Sequence, residues 1–397
     1  MTDAYIVQPL RTPIGKFGGA LSTLSAVDLA VKVIHAVLDK TQIDPHSLDE
    51  VIIAQSYASS EAPCIGRYAS LAAGLPIEVP GYSLDRRCGS GLQALINAAT
   101  AIQAGQAHAI LVLGVESMSN IEYYSTNMRW GSRAGNVTFY DRLERGRERS
   151  QPVERFGVIS GMPETADNLA RDYAITREAC DEYALHSHLK AQKAWDEGKF
   201  SKEVISIEIK GKKKTEYVHH DEGIRADSTL EKLAQLKPIL ADGVTTAGNS
   251  SQQNDAAAGC LVVSETYMKQ HNLTPIAKIR GFSAAGCDPS RMGIGPVPAI
   301  EKLLDQLKIG LDEVDLIEIN EAFAAQTLAV IKALQLNNPE IINVNGSGIS
   351  LGHPIGATGL RIMTSLVHEM QRRQVKYGLE TMCIGGGQGL AALFERV

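Results

Sequence analysis

Leu84-Asp85-Arg86-Arg87-Cys88-Gly89-Ser90-Gly91-Leu92-Gln93-Ala94 carries one cysteine out of an extended segment and into a helix. Gly89 and Gly91 permit a tight turn after Cys88, and Leu92, Leu95, Ile96 and Ala99 then recur at helical spacing. Cys88 therefore stands near a helix N-terminus, where unpaired amides and the positive end of the dipole favour the thiolate, the form that attacks carbon. A second reading stays open at this level, because cysteine is among the most buried residue types and often serves as a small hydrophobe.

On either side of this stretch the chain alternates short apolar runs with helical periodicity. Runs at 4–9, 51–54 and 109–114 read as strands, and 26–38 as a helix. Such alternation favours an α/β fold in which helices layer a sheet. The segment 121–156, with Gly131, Gly135, Gly146 and a dense run of charge from Asp141 to Arg149, reads as an inserted, loop-rich region. Helices are expected over 165–175 and 176–197, with Thr176 as N-cap and Gly198 as stop, followed by a strand over 204–210. Gly211-Lys212-Lys213-Lys214 reads as a solvated basic turn. From Thr274 the first pattern returns, with strands at 275–281, 314–319 and 379–384 and helices at 298–307, 321–336 and 356–373. A glycine-rich turn, a helix, an apolar strand and another glycine occur in that order at 88–114 and again at 353–385, which points to duplication of one α/β unit.

With 397 residues, the chain has room for more than one domain. Its net charge of -6 implies no general attraction to nucleic acid or to an anionic membrane, so an anionic ligand must be held locally. Six cysteines, Cys64, Cys88, Cys180, Cys260, Cys287 and Cys383, are scattered without C-x-x-C pairs, which argues against a zinc site and a disulfide framework. No apolar run is long enough for a membrane span, the first residues lack a signal-peptide pattern, and Glu395-Arg396-Val397 is not a peroxisomal address. A cytoplasmic, reducing location is expected.

Four further loops compare with that of Cys88, the first of them placed where α/β folds present side chains to a ligand. These are Asn320-Glu321-Ala322-Phe323 after an apolar strand, Gly352-His353-Pro354 in a glycine-rich turn, Cys383-Ile384-Gly385-Gly386-Gly387 at a strand end, and Ala247-Gly248-Asn249-Ser250-Ser251. Asn254-Asp255 reads as a turn closure. Together with Arg11-Thr12-Pro13-Ile14-Gly15-Lys16 and Asn343-Val344-Asn345-Gly346, the Cys88, Asn320, His353 and Cys383 motifs occur in the order found in the thiolases, from residue 5 to residue 394. The sequence resembles that family of acyl-CoA:acetyl-CoA C-acyltransferases over nearly its whole length.

The resemblance implies a duplicated thiolase fold, five-layered α/β/α/β/α, with residues 1–120 and 250–273 as one half, 121–249 as an inserted CoA-binding loop domain and 274–397 as the other half. It implies Claisen chemistry: condensation of two acetyl-CoA to acetoacetyl-CoA, or thiolysis of a 3-ketoacyl-CoA. Cys88 becomes the acylated nucleophile, His353 activates it and serves an oxyanion hole, and Cys383 exchanges the α-proton. Asn320, through a water, and the Gly385 amide complete the oxyanion donors, each worth roughly 3 to 4 kcal/mol in such sites. Arg225 and Ser251 fall where the family binds CoA, and Met162, Met292 and Phe323 where it lines the acyl pocket. CoA, acetyl-CoA and acyl-CoA are substrates, and no metal or cofactor is implied. Relatives are homodimers or homotetramers built as dimers of dimers, with 121–137 as a candidate tetramer contact.

Two departures bear on specificity. Many acetoacetyl-CoA-specific relatives carry His-Met-Gly where this chain has Gly161-Met162-Pro163, and a phenylalanine near Leu240. Ser251-Gln252-Gln253-Asn254-Asp255-Ala256 also differs from the common Ser-Gly-x-Asn-Asp-Gly. The alternatives are a ketoacyl-synthase-like condensing enzyme, which normally has His or Asn where this chain has Cys383, and a non-catalytic acyl-CoA or lipid-binding relative.

Overall fold

The computed structural model describes residues 2–159, 161–211 and 214–397. The elements that position the site are, in chain order, β1 (Ala4–Arg11), α1 (Ala26–Thr41), β2 (Glu50–Ala54), α2 (Ile65–Ala72), β3 (Gly81–Leu84), α3 (Ser90–Gln103) and β4 (Ala109–Ser117). The intervening region contributes α4 (Arg142–Glu148), α5 (Met162–Asp172) and α6 (Arg177–Asp196). Then come β5 (Asn254–Ser264), β6 (Pro275–Gly286), α7 (Pro296–Leu307), β7 (Leu316–Ile319), α8 (Ala324–Ala333), α9 (Thr358–Arg373), β8 (Tyr377–Ile384) and β9 (Gln388–Arg396).

The strands hydrogen-bond along the path β7-β8-β9-β6-β1-β5-β4-β2-β3, and short Gly15–Lys16 pairs with β5 to make ten strands. Where strands are buried on both faces, their side chains divide by the period of two. Ile110 and Val112 of β4 pack on Leu92, Leu95 and Leu366 of α3 and α9, whereas Leu111 and Leu113 face Leu29, Val33 and Ile34 of α1. At the other end Leu390, Ala392 and Phe394 of β9 join the α3 and α9 cluster, while Ala391 and Leu393 meet Ile300 and Leu303 of α7 and Val330 of α8. The order is therefore α1 and α2, sheet, α3 and α9, sheet, α7 and α8. That is the five-layered arrangement that the resemblance implies.

The two central helices cross with their backbones almost touching. A Cβ on Gly359 would lie 2.2 Å from the Leu92 nitrogen, so only glycine fits there. This crossing brings the N-terminal ends of α3 and α9, and the loops that precede them, to one place.

Several local expectations differ from the structure. The helix expected over 321–336 begins only at Ala324, because the preceding residues bond sideways: Ser251 N–H donates to Ala322 O at 2.9 Å and Ala324 N–H to Asn249 O at 2.9 Å. The strand expected over 204–210 is confined to Ile207–Lys210, since Ile205 N–H turns away to donate to Arg11 O at 2.9 Å. Asn254-Asp255 does not close a turn; it opens β5, whose residues are all buried. The charge-dense run forms α4, with the Asp141 side chain capping it through Leu143 N–H. Of the basic run, Lys212 and Lys213 lie outside the described residues. Thr176 caps α6 by accepting from Ala179 N–H, as its sequence suggests. Among the described residues no helix is long and apolar enough to cross a membrane.

Candidate active site

Cys88 sits in a single 3-10 turn, Arg87–Gly89, between β3 and α3. The turn is held from both sides. Arg87 N–H donates to Asp85 Oδ1 at 2.7 Å, Arg86 N–H to Ser90 Oγ at 2.7 Å, and Ser56 Oγ to Arg87 O at 3.0 Å.

His353 precedes α9 in a turn locked by β5. Asn254 Oδ1 accepts the His353 N–H at 2.9 Å while its Nδ2 donates to Gly15 O at 3.0 Å. Gly352 has φ +121° and lies against the Asn254 carboxamide, so a side chain is excluded there on two counts. Glu116, at the end of β4, accepts from Ser56, Tyr57 and Gly356 N–H at 3.1, 3.2 and 3.0 Å, tying the loop after β2 to the His353 turn. Burial pushes its carboxyl up to about 7 even with these three donors.

The β8–β9 turn closes the third side. The Gly385 N–H is hydrogen-bonded to the Cys88 thiol, and Cys383 lies behind it, fully buried and close enough to feel the charge of Cys88. Asn320 is also fully buried, beneath the Gly348 loop, and neither Oδ1 nor Nδ2 has a protein partner. An unpaired buried carboxamide in such a place is suited to a water.

A cavity of about 490 Å³ opens in front of these groups, lined by Cys88, His353 and Gly385 together with Arg225, Ser251, Met162, Met292 and Phe323. Eight of the ten site residues named from the sequence are thus brought together. Asn320 and Cys383 are not on the wall. Gln252 and Gln253 line it too, and Gln252 Nε2 bridges Gly223 O and Ile349 O at 2.9 Å each, so the departure from the common motif is a cross-brace. Glu321 points elsewhere: it accepts from Tyr183 Oη at 3.0 Å, Ser187 Oγ at 2.6 Å and Ile349 N–H at 3.1 Å, pinning α6 to the loop before α9.

One electrostatic expectation is corrected. Proximity to a helix N-terminus does not leave Cys88 as a thiolate, because burial raises its thiol and outweighs the Gly385 amide, the Arg87 charge and its own amide. Burial likewise lowers His353 to about 3, helped by Arg361 and Arg147. The resting pair is therefore a neutral thiol beside a neutral imidazole. Burial also raises Cys383 well above the ordinary thiol range. Such a site ionises its thiol only as the proton moves to the ring, which suits covalent transfer to an electrophilic carbonyl.

Asn254 reads in the sequence only as part of a turn, and Glu116 and Thr358, whose Oγ1 lies 2.6 Å from His353 Nδ1, escape the sequence reading. The only signal for the first was its place just after the small polar segment; the other two are ordinary residues whose partners are distant in the chain.

The family model described as thiolase, N-terminal domain, matches residues 4–266, and that for thiolase, C-terminal domain, matches 273–396. An acetyl-CoA acetyltransferase of Escherichia coli (strain K12) is 43% identical over 399 residues, covering 100% of both chains. A mitochondrial 3-ketoacyl-CoA thiolase of Homo sapiens is 41% identical over 397 residues, covering 100% of this chain and 98% of that one. The crystal structure of human mitochondrial 3-ketoacyl-CoA thiolase in complex with CoA superimposes with a TM-score of 0.94 at 39% identity, over 100% of this chain and 98% of the other. Motifs, layering and whole-length similarity agree: the chain belongs to the thiolase family.

Proposed function

We propose that this thiolase is an acetyl-CoA C-acyltransferase that cleaves 3-ketoacyl-CoA with CoA, and runs the reverse condensation when acetyl-CoA is supplied. The observation that carries the reading is the single cavity shared by Cys88, His353, Gly385, Arg225 and Ser251. Similarity to a thiolase solved in complex with CoA supports CoA as the thiol substrate.

In this scheme His353 takes the Cys88 proton as Sγ attacks the 3-carbonyl carbon. The amides of Cys88 and Gly385 hold the oxyanion. The C2–C3 bond then breaks, its electrons passing to the thioester enolate, whose oxygen faces His353 and a water on Asn320. Cys383 gives the enolate carbon its proton, and acetyl-CoA leaves. CoA thiol next gives its proton to the Cys383 thiolate as its sulfur attacks the Cys88 thioester; acyl-CoA leaves, and His353 returns the proton it first took to Cys88 Sγ. Met162, Met292 and Phe323 form the acyl wall, and Arg225 and Ser251 meet CoA.

The reading extends to self-association as a homodimer or homotetramer, supported by Tyr123 and Trp130, which are 66% and 93% exposed in the 121–137 segment. It also places the enzyme in the cytoplasm, supported by six unpaired cysteines.

The test is CoA-dependent loss of the ketoacyl chromophore, with acetoacetyl-CoA and longer 3-ketoacyl esters compared, alongside mass analysis of Cys88. Turnover with an acyl adduct on Cys88 is expected. Absence of both overturns the proposal.

A further inference from the structure

Residues 221–225 form neither helix nor strand, yet four of the five are anchored from outside the segment. The Asp221 carboxylate takes Arg11, the last residue of β1, as a bidentate partner, at 2.8 Å from Nη1 and 3.0 Å from Nη2. It also accepts from Ile14 N–H at 2.8 Å and from Trp195 Nε1 of α6 at 3.1 Å. Glu222 Oε2 accepts from Lys16 N–H at 3.1 Å and Ala20 N–H at 3.0 Å, while Glu222 N–H donates to Ile14 O at 2.9 Å. Gly223 O receives the Gln252 brace, and Arg225 N–H donates to Nδ1 of the buried His188 at 3.2 Å.

Arg11 is itself fixed on every side. Its Nε donates to Glu203 Oε1 at 2.7 Å, Nη1 also reaches Thr12 O at 3.2 Å, and the guanidinium lies over the Phe200 ring at 5.1 Å. Glu203 Oε1 accepts as well from Ser365 Oγ of α9 at 2.9 Å, which carries the network into the central layer. Arg11, Glu203 and Asp221 are all buried, and none of the three lines the cavity. A buried ionic network is a poor source of stability, because desolvation offsets the attraction; what it can supply is fixed geometry.

The geometry it fixes belongs to two cations on the cavity wall, Lys16 and Arg225. Both are exposed, so the surrounding protein does not hold their side chains, and only their backbones are set in advance. Glu222 sets the first through its amide, and Arg225 closes the segment that Asp221 opens. A rim whose backbone is already ordered lowers the entropy lost when a ligand binds to it. Resting on the acyl-transfer reading above, we infer that Asp221, held by Arg11, and Glu222 are positioning residues that keep Lys16 and Arg225 in register for the nucleotide end of CoA, where that substrate carries its negative charge. They act through the two cations and touch neither substrate nor reacting atoms.

The test reads kcat and KM for the thiol acceptor at saturating acetoacetyl-CoA, comparing CoA with pantetheine, which has the same thiol arm without the nucleotide. The native enzyme is expected to favour CoA in kcat/KM by roughly tenfold to a hundredfold, the equivalent of one charge-assisted hydrogen bond. Asp221→Asn should raise KM for CoA about tenfold, hold kcat within about twofold and leave the kinetics with pantetheine unchanged. Glu222→Ala leaves the buried pair intact; it should show the same pattern to a smaller extent, and it carries the test if Asp221→Asn does not fold. In an Arg225→Ala background the further effect of Asp221→Asn should shrink to about twofold, because the residue acts through that cation. A loss equal for the two thiols, or one that falls on kcat, is what a loosened fold produces and overturns the inference. So does full additivity of Asp221→Asn with Arg225→Ala, or equal use of CoA and pantetheine by the native enzyme. Turnover with neither thiol instead defeats the acyl-transfer reading, and the positioning proposal with it.

Discussion

His353 Nδ1 lies 2.6 Å from Thr358 Oγ1, and that hydroxyl lies 3.1 Å from Pro354 O, to which it donates. A hydroxyl has one proton to give, so the ring must donate from Nδ1 to Oγ1, leaving the lone pair on Nε2. Thr358→Val keeps the shape and removes the acceptor. It should lower kcat about 10- to 100-fold, the rate equivalent of one hydrogen bond to a group that becomes charged, while Thr358→Ser stays near the native value. Steady-state kinetics decide, and equal rates in the two variants would separate Thr358 from the chemistry.

The neutral thiol and neutral imidazole have a signature in alkylation. Because burial raises Cys88 and lowers His353 to about 3, the rate of Cys88 modification by iodoacetamide should climb with pH beyond the ordinary thiol value of about 8.5. A rate already level between about pH 5 and 7 would mean a preformed thiolate–imidazolium pair.

Two thiols with different duties separate by labelling. Cys88→Ala should abolish turnover and still bind CoA, whereas Cys383→Ala should still accept an acyl group on Cys88 but fail to exchange the α-protons of acetyl-CoA with deuterated solvent. Acylation of Cys88→Ala at another cysteine would reverse the assignment.

At the crossing of the central helices, Gly359→Ala must push a methyl into the Leu92 backbone. Overpacking of this kind costs about 1 to 3 kcal/mol. A fall in the urea midpoint together with a fall in kcat is expected, since the same crossing aligns the turns of Cys88 and His353. Unaltered stability would show that the helices have room to part.

Beneath the site, Glu318 of β7 and Glu380 of β8 are register partners, with Arg361 of α9 nearby, and all three carry buried atoms with no protein partner. Burial moves Glu318 from 4.5 to about 8, offset in part by Arg361. A carboxyl raised by folding adds stability that is complete below its unfolded value and is lost as pH rises through about 8. Glu318→Gln should therefore gain on the native protein between pH 5 and pH 8 in paired urea titrations. A constant difference would mean that Glu318 does not titrate there.

How much of this was legible differs from residue to residue. Cys88, His353 and Cys383 sit in glycine-marked turns at element ends, a local pattern that a linear reading can find, and the alternation of strands and helices follows from apolar runs and helical periods, whereas the five-layer order comes from the resemblance to the thiolases. Asn254 shows the limit. Its neighbour Asp255 and the small residues around it look like a turn, yet pairing with Gly15–Lys16 and β4 makes it the start of a buried strand and the support of the His353 amide. The ionisation state of Cys88 was misread for the same reason: helix position is local, but desolvation depends on everything packed around the thiol.

The backbone contact between α3 and α9 also sets when the protein becomes reactive. Cys88 emerges early in synthesis, but its imidazole, its amide donor and its second thiol all lie in the last part of the chain. Until Gly359 settles against Leu92, the early segment holds an ordinary sulfhydryl without a base or an oxyanion cradle. Chemical competence thus requires the two central helices to have docked, so the unfinished polypeptide lacks the groups that would let it capture acyl groups prematurely. Recovery of turnover on refolding should for that reason trail the return of secondary structure and coincide with closure of the central layer.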